Sequence, residues 1–258
     1  MTTGTTLATD AAAARIAETV DGLFALIGTW RDDVAEHVAD RVAPLAAGVD
    51  EVVERFAVRA LEDPDSLVTG AGFVAAPGLL ADAPWHLSWW LGDANTLGLD
   101  GREPTIRRLE AVVDPDAESF RDYTTLEWWR VPLATGRRHL TGPYVDYLCT
   151  DAYTVTITVP VLVDGEMAGV VGADVYVSEL ESALLPVIEA TGGACTVVNA
   201  RGRVVASTDA QRAVGTVLRI DGLRDALDGP ADGRAVELDG VGRVLACGDT
   251  TLALVVED

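Results

Sequence analysis

The chain has 258 residues, of which 49% are hydrophobic, so it is long enough to bury a sizeable core and too hydrophobic to be disordered. Its net charge of −22 excludes nucleic acid as a partner, and its 19 basic residues are all arginine, which excludes a phosphate-loop lysine and a lysine Schiff base. No apolar run reaches the length of a membrane span and no signal-peptide pattern opens the chain, so the sequence predicts a cytoplasmic protein without a membrane partner.

Residues 1–62 carry the pattern of one long helix. From Asp10 to Glu62, apolar residues recur every three or four positions, which places them in a single buried stripe. Pro44 and Gly48 interrupt the pattern, so the helix is expected to kink or divide near Pro44. We expect this helix to cover a sheet, and the pattern leaves open a homodimer formed through it.

After this helix, the period of the pattern changes to two, which is typical of strands. Threonines alternate with valine and isoleucine from residue 154, which predicts a half-buried strand that continues to Val163. Asp164-Gly165 is a hairpin turn signal, after which MAGVVGADVYV is expected to return as the partner strand. A short helix toward Ile188 should follow.

A second set of strand patterns repeats this theme toward the end of the chain. The pattern predicts a short helix near residues 223–227 and strands at ACTVV, RVVAST, AVELDGVGRVLAC and TLALVVE. We therefore predict an α+β fold in which a helical segment, residues 1–62, carries two antiparallel-sheet lobes, residues 63–190 and 191–258.

The cysteines and histidines indicate neither a disulfide framework nor a metal site. The three cysteines are widely spaced, which suits reduced, buried thiols, and the three histidines show no metal-ligand spacing. We therefore predict no metal and no cofactor.

Several segments in this order resemble the double Cache, or PDC-like, sensor domain. They are the long helix, the Tyr- and Trp-rich turn, GPYVD at 142–146, VPVLVDGEMAGVVGADV at 159–175 and NARGRVVAST at 199–208. The resemblance spans nearly the whole chain and implies two PAS-like lobes, with a small ligand bound in the first. It also implies that the protein is a sensor and not an enzyme, and that a protein partner carries the output.

At one position the chain departs from the amino-acid-binding members of that family. Those members carry an arginine, which holds the ligand's carboxylate, two residues before the tryptophan of a Trp-Tyr pair. Here that position is Leu126, and the second aromatic residue is Trp129. The resemblance therefore implies the amine-binding branch, whose ligand is positive and lacks the α-carboxylate.

The side-chain chemistry independently favours a small cation as the ligand. A desolvated cation over a tryptophan ring gains about 2 kcal/mol, and a carboxylate such as Asp174 or Asp146 supplies the compensating charge. Asp174 is the stronger candidate because it interrupts an apolar strand; a salt bridge to Arg121 or Arg130 is the alternative. The predicted ligand is a small amine or a quaternary ammonium compound.

The aromatic residues are assigned from the two tryptophan pairs, 89–90 and 128–129. One ring of each pair is expected to pack the lobe while the other contacts the ligand, and the second pair is expected in a turn at a strand end. Tyr123 has an alternative role, in which its hydroxyl caps a backbone group. The predicted ligand-binding residues are Trp90, Tyr123, Trp128, Trp129, Tyr144, Asp146 and Asp174.

Other functions remain open at this point. The same pocket in an amino-acid or carboxylate sensor would bind an acid, and an interaction protein could keep a vestigial pocket and dimerise through its helix. A metabolic enzyme on the same scaffold is the third alternative.

Overall fold

A computed structural model of the protein describes residues 3–40, 43–95, 105–145, 150, 152–228, 235–238, 240 and 242–257. The fold is α+β, with a long N-terminal helix and two antiparallel sheets, which confirms the predicted fold class. Contacts between residues divide the chain into two compact units. Unit 1 consists of Met1–Gly22, Gly142–Tyr144 and Val177–Asp258, and unit 2 of Leu23–Thr141 and Val145–Tyr176.

The N-terminal segment forms two helices, α1 (Thr3–Ala39) and α2 (Ala46–Glu62). Pro44 lies between them, so the predicted interruption divides the helix. The side chain of Asp82 accepts a hydrogen bond from Ala46 N at 2.9 Å, which satisfies one of the free N–H groups at the start of α2. No helix in the described part of the chain is long and apolar enough to cross a membrane.

The first sheet contains six strands within the described residues. They are β1 (Val68–Ala75), β2 (Leu87–Leu91), β3 (Arg107–Arg108), β4 (His139–Val145), β5 (Tyr153–Val163) and β6 (Glu166–Tyr176). Their order is β3-β2-β1-β6-β5-β4, and the pairings from β3 through β5 are antiparallel. A 3-10 turn, Tyr123–Thr125, and helix α3, Glu127–Thr135, connect β3 to β4.

The hairpin between β5 and β6 forms as the sequence predicts. Asp164 and Gly165 both have positive φ angles, 53° and 85°, which match the tight turn that joins right-twisted antiparallel strands. The prediction that β5 is half-buried is wrong, because its threonine face is covered as well as its apolar face. The threonine side chains therefore lie in the interior of the unit.

The register of the first sheet places its polar side chains together on one face. Residues paired across antiparallel strands share a face, as do residues two apart along a strand. One row joins Thr156, Asp174 and Gly70, and the next joins Thr158, Gly172, Gly72 and Trp89. We call this side the polar face. It comprises Gly70, Gly72, Trp89, Thr154, Thr156, Thr158, Gly172 and Asp174.

The opposite side of the sheet, the helix face, packs against α2. Helix α2 contacts both β1 and β2. Arg108, which pairs with Trp90 in the register, forms a salt bridge to Asp50 of α2 at 2.7 Å, so Trp90 lies on this face. The fully buried Phe73 and Ile157 also belong to it.

The second sheet lies in unit 1 and follows the predicted strand patterns. Its elements are α4 (Val177–Glu189), β7 (Ala194–Asn199), β8 (Val204–Ser207), α5 (Leu223–Leu227), β9 (Val236–Leu238), β10 (Gly242–Ala246) and β11 (Leu252–Glu257), with strand order β8-β7-β11-β10-β9. One face of this sheet is filled with aliphatic side chains. They are Val198, Leu238, Val244, Ala253 and Val255, together with Leu223 of α5 and the partly buried Leu218, Ile220, Ala226 and Leu227.

Two of the predicted buried thiols fall in the described part of the chain. Cys195 and Cys247 are buried and free, and burial raises the pKa of Cys247 to about 12, so this thiol stays protonated at neutral pH. Cys149 lies outside the described residues.

Candidate functional site

Asp174 is a carboxylate in the interior of unit 2. It lies on β6, is 4% exposed, and its Oδ1 accepts a hydrogen bond from Thr156 Oγ1 at 2.6 Å. Its predicted alternative partners, Arg121 and Arg130, are exposed on the surface. The pairing of Asp174 with Thr156 across β5 and β6 places the carboxylate on the polar face, beside this threonine.

Trp89 is the indole beside Asp174. A Cβ atom added at Gly70 would lie 2.9 Å from Trp89 Nε1 and 3.2 Å from Asp174 Oδ2. A Cβ atom at Gly72 would lie 2.7 Å from the Trp89 ring, and one at Gly172 would lie 3.4 Å from it. The indole thus lies flat over three glycines, whose missing side chains leave room for it.

Trp90, which the sequence predicted as the ligand contact of this pair, lies on the helix face. It pairs with Ala71 on one side and Arg108 on the other, and it is half-buried. The prediction that the two rings of this pair point to opposite faces agrees with the register. The ring on the side of Asp174 is Trp89.

Tyr123 has the backbone-capping role that was its alternative. Its ring is buried, and its hydroxyl donates a hydrogen bond to Ala75 O at 2.7 Å. Burial raises the pKa of Tyr123 to about 12. The ring also packs against other aromatic rings, with centroids 5.1 Å from Trp85, 6.4 Å from Trp128 and 5.3 Å from Trp129. Tyr123 therefore anchors an aromatic cluster to the C-terminal end of β1.

Trp128 and Trp129 lie in helix α3, so their predicted placement in a turn is wrong. Both are buried, and consecutive residues of a helix point about 100° apart, so both rings remain within the same packed side. Pro132 has no N–H to bond the carbonyl of Trp128 four residues earlier. Thr158 Oγ1 donates to that carbonyl at 3.0 Å instead, which attaches α3 to the polar face.

Two polar atoms of the polar face and one of α3 are buried without a hydrogen-bond partner among the described residues. They are Trp89 Nε1, Trp128 Nε1 and Thr154 Oγ1. A buried donor left unpaired costs about 1–3 kcal/mol, so such atoms in a native fold are expected to have a partner such as an ordered water or a ligand. Trp90 Nε1 on the helix face is in the same situation within the described residues, so it is the buried carboxylate of Asp174 beside these atoms that makes the polar face the candidate site.

One further acid, Glu127, and the two remaining predicted residues, Tyr144 and Asp146, complete the account. Glu127 begins α3, and its Oε1 lies 3.1 Å from His139 Nε2. Tyr144 lies half-buried in β4, directly after the cis Gly142–Pro143 bond, and its contacts group it with unit 1. Asp146 lies outside the described residues. The structure thus brings Asp174 to the polar face and attaches the backbone of Trp128 to it through Thr158, while the rings of Trp128 and Trp129 both pack against Tyr123.

Sequence reasoning missed Trp89, Thr156 and the glycines beneath the indole. A signal for them was present, because Gly70 and Gly72 occupy alternate positions of one strand and Gly172 interrupts another. Glycine inside a strand often marks the close approach of a large group. Only the register between the strands shows that this group is Trp89.

Comparisons with known proteins agree with this architecture. Residues 105–182 match the family described as methyl-accepting chemotaxis protein-like, first PDC sensor domain. Among curated proteins, none matches the chain significantly.

Solved structures of sensor domains resemble nearly the whole chain. The extracellular domain of the putative histidine kinase mmHK1S-Z3 has a TM-score of 0.65 at 14% identity, covering 99% of this chain and 94% of that one. The periplasmic sensory domain of the Campylobacter jejuni chemoreceptor Tlp1 has a TM-score of 0.61 at 11% identity, covering 95% and 90%. The ligand-binding domain of the Pseudomonas aeruginosa amino acid chemoreceptor PctC, in complex with GABA, has a TM-score of 0.51 at 18% identity, covering 96% of each chain. At these identities the likeness establishes the fold.

The predicted cytoplasmic location is wrong. The neighbours whose compartment is stated are extracellular or periplasmic domains of sensor proteins, and they point away from the cytoplasm. The prediction rested on composition and on the first residues of the chain, and neither feature reports the compartment of a sensor domain.

Proposed function

Because the chain matches a chemotaxis-type PDC sensor domain at residues 105–182 and has the double Cache fold throughout, we propose that it senses a small amine. The ammonium group of the ligand binds on the polar face of the first sheet, with Asp174 as its counter-ion. The occupied domain acts through a protein partner that carries the output.

Asp174 is the observation that carries this proposal. A carboxylate that is 4% exposed loses most of its hydration, and burying it as an anion is costly unless hydrogen bonds and positive charge compensate it. Thr156 supplies one of the interactions that Asp174 makes in the folded protein. A primary ammonium supplies up to three more donors together with the opposite charge, so the ligand and the carboxylate stabilise each other.

The indoles support the same ligand. Trp89 covers the glycines beside Asp174, and Trp128 belongs to the first turn of α3, which Thr158 attaches to the polar face. A tryptophan ring attracts a desolvated cation with about 2 kcal/mol. The aromatic and acidic side chains therefore favour the same chemical class, a small organic cation.

The contrast between the two sheets supports a site in the first lobe, residues 63–190, over one in the second, residues 191–258. The face of the second sheet that packs against α5 is filled by Val198, Leu238, Val244 and their aliphatic neighbours. Such a face offers a polar ligand no hydrogen bonds, and burying an ammonium there would be costly. In the first sheet, the threonines and Asp174 offer several.

An amino-acid sensor is the second candidate, and Arg107 favours it. Arg107 pairs with Leu91, which in turn pairs with Gly70, so Arg107 lies on the same side of the sheet as Asp174. Its guanidinium donates to Asn95 O at 2.8 Å. An arginine on this side can bind a carboxylate, and the PctC neighbour was solved with GABA, which carries both an ammonium and a carboxylate.

Thermal unfolding in the presence of a ligand panel tests the proposal. The panel contains primary amines, quaternary ammonium compounds, amino acids and simple carboxylates. A ligand at about 100 times its dissociation constant adds about 2.7 kcal/mol to the stability. Stabilisation by amines supports the first candidate, and stabilisation by amino acids alone supports the second. If no compound shifts the unfolding curve, the sensing role is refuted and an interaction protein with a vestigial pocket takes its place.

A further inference from the structure

Trp89 carries a hydrogen-bond donor close to the carboxylate of Asp174. Its side chain is 5% exposed, and its Nε1 has no hydrogen-bond partner within the described residues. This atom and Asp174 Oδ2 both lie close to the Cβ position of Gly70, at 2.9 Å and 3.2 Å. An unpaired donor and a carboxylate therefore lie within the reach of one small molecule.

The indole is held in this position by its surroundings. The backbone pairing of β1 and β2 sets Trp89 opposite Gly72, and the ring lies within 2.7 Å of the Cβ position there and 3.4 Å of the one at Gly172. Since close contact with Gly70, Gly72 and Gly172 restricts the ring, its N–H keeps one direction. A donor that is already oriented in the empty protein loses little entropy on binding.

The carboxylate of Asp174 and the N–H of Trp89 bind different groups of a ligand. A carboxylate accepts hydrogen bonds, whereas an indole N–H only donates them. A quaternary ammonium ion offers neither N–H donors for Asp174 nor an acceptor for Trp89. A simple alkylamine satisfies Asp174 and leaves the N–H of Trp89 buried and unpaired.

Resting on the proposed function, we infer that the ligand is a primary amine that carries an oxygen acceptor a few bonds from its nitrogen. Trp89 is the residue that selects for this oxygen, and Asp174 is the residue that binds the ammonium. The oxygen belongs to a hydroxyl group or to a carboxylate. In both cases the N–H of Trp89 donates a hydrogen bond to this oxygen, so Trp89 sets the specificity among amines of similar size.

Isothermal titration calorimetry with an isosteric pair of amines tests this inference. Ethanolamine and n-propylamine differ by an oxygen in place of a methyl group. Leaving a buried donor unpaired weakens binding by about 5- to 140-fold, so the wild-type protein should bind ethanolamine more tightly than n-propylamine by at least that lower factor. β-Alanine, as a third probe, separates a carboxylate acceptor from a hydroxyl.

Two matched substitutions assign the selectivity to one indole. Trp89→Phe removes the N–H and keeps an aromatic ring, so the two amines should bind this variant within about twofold of each other. Trp90→Phe is the control, because Trp90 Nε1 is also buried and has no hydrogen-bond partner in the described part of the chain, but lies on the helix face. This variant should retain the wild-type preference.

A second measurement needs no substitution. In a ¹⁵N spectrum of the indole groups, the Trp89 signal should shift downfield with ethanolamine and stay in place with n-propylamine, because only ethanolamine accepts its hydrogen bond. This readout applies even if Trp89→Phe does not fold.

The outcomes separate the inference from the function on which it rests. If both amines bind the wild-type protein equally, and Asp174→Asn weakens both, the amine site stands and the selection by Trp89 is overturned. A preference for ethanolamine that survives in Trp89→Phe overturns it as well. If none of the amines binds, the inference and the amine-sensing function fall together.

Discussion

Asp174→Asn removes one negative charge and keeps the shape of the side chain, so it isolates the role of Asp174 as a counter-ion. The hydroxyl of Thr156, 2.6 Å from Oδ1, can donate to the amide oxygen of asparagine as it does to the carboxylate. The new side chain should therefore stay in place. Any loss of affinity then reports the charge and not a rearrangement of the site.

The expected loss follows from the burial of Asp174. At 4% exposure the carboxylate is little screened by solvent, so the full cost of removing one partner of a buried charge pair applies. That cost is about 2–5 kcal/mol. Since about 1.4 kcal/mol corresponds to tenfold in affinity, the dissociation constant of the best amine should rise by about 30- to 4,000-fold.

Isothermal titration calorimetry measures this change, with Asp50→Asn as the matched control. Asp50 belongs to α2 and forms its salt bridge to Arg108 on the helix face, so its substitution changes the net charge equally without touching the polar face. The control should bind the amine as the wild-type protein does. An Asp174→Asn variant whose dissociation constant stays within about threefold of wild type, or an equal loss in both variants, refutes the counter-ion role.

Further substitutions test the packing around the site. Tyr123→Phe should destabilise the protein by about 1–2 kcal/mol in urea unfolding, because Ala75 O loses its donor, while an equal stability would show that this hydrogen bond contributes nothing. Gly70→Ala should destabilise by about 1–3 kcal/mol and weaken amine binding, because its Cβ would lie 2.9 Å from Trp89 Nε1. Gly28→Ala, within α1 and with nothing near its added Cβ, should instead stabilise by about 0.5–1 kcal/mol. Burial opposes the ionisation of Asp50, but His86 and Arg108 outweigh it and hold the pKa of Asp50 below 3.8. Its contribution to stability is therefore complete above that pH and is lost as the pH falls through the lower folded value, so the unfolding free energies of wild type and Asp50→Asn should converge below pH 3.8.

The sequence predicts those parts of the fold that local chemistry determines. The β5–β6 hairpin follows from alternating residues on both sides of Asp164-Gly165, and the division of the N-terminal helix follows from Pro44. The burial of Asp174 follows from its place within an apolar strand. In each case a few neighbouring residues restrict the backbone to one arrangement.

Helix α3 could not be read from the sequence because its start signals are missing. Leu126, its N-cap residue, makes no side-chain cap, and Pro132 lies inside this helix of nine residues. The proline that follows the two tryptophans favours a turn over a helix. The helix is stabilised by its contacts with the sheet, which lie far away in sequence.

The choice between Trp89 and Trp90 also depends on distant residues. The local pattern shows only that the two rings point to opposite faces. Which ring lies beside Asp174 is decided by the pairing of Trp89 with Gly72 and of Gly70 with Asp174, across three strands. Shifting one strand by a single residue would exchange the two tryptophans.

The proline of α3 has a mechanical consequence. By removing one bond within the helix, Pro132 turns the carbonyl of Trp128 into an anchoring point for Thr158. Thr156 lies two residues from Thr158 on the same strand, about 7 Å along the backbone. Its hydroxyl donates a hydrogen bond to the carboxylate of Asp174. Through these two hydrogen bonds, β5 links the carboxylate of Asp174 to the first turn of α3, so a displacement of this strand would displace both.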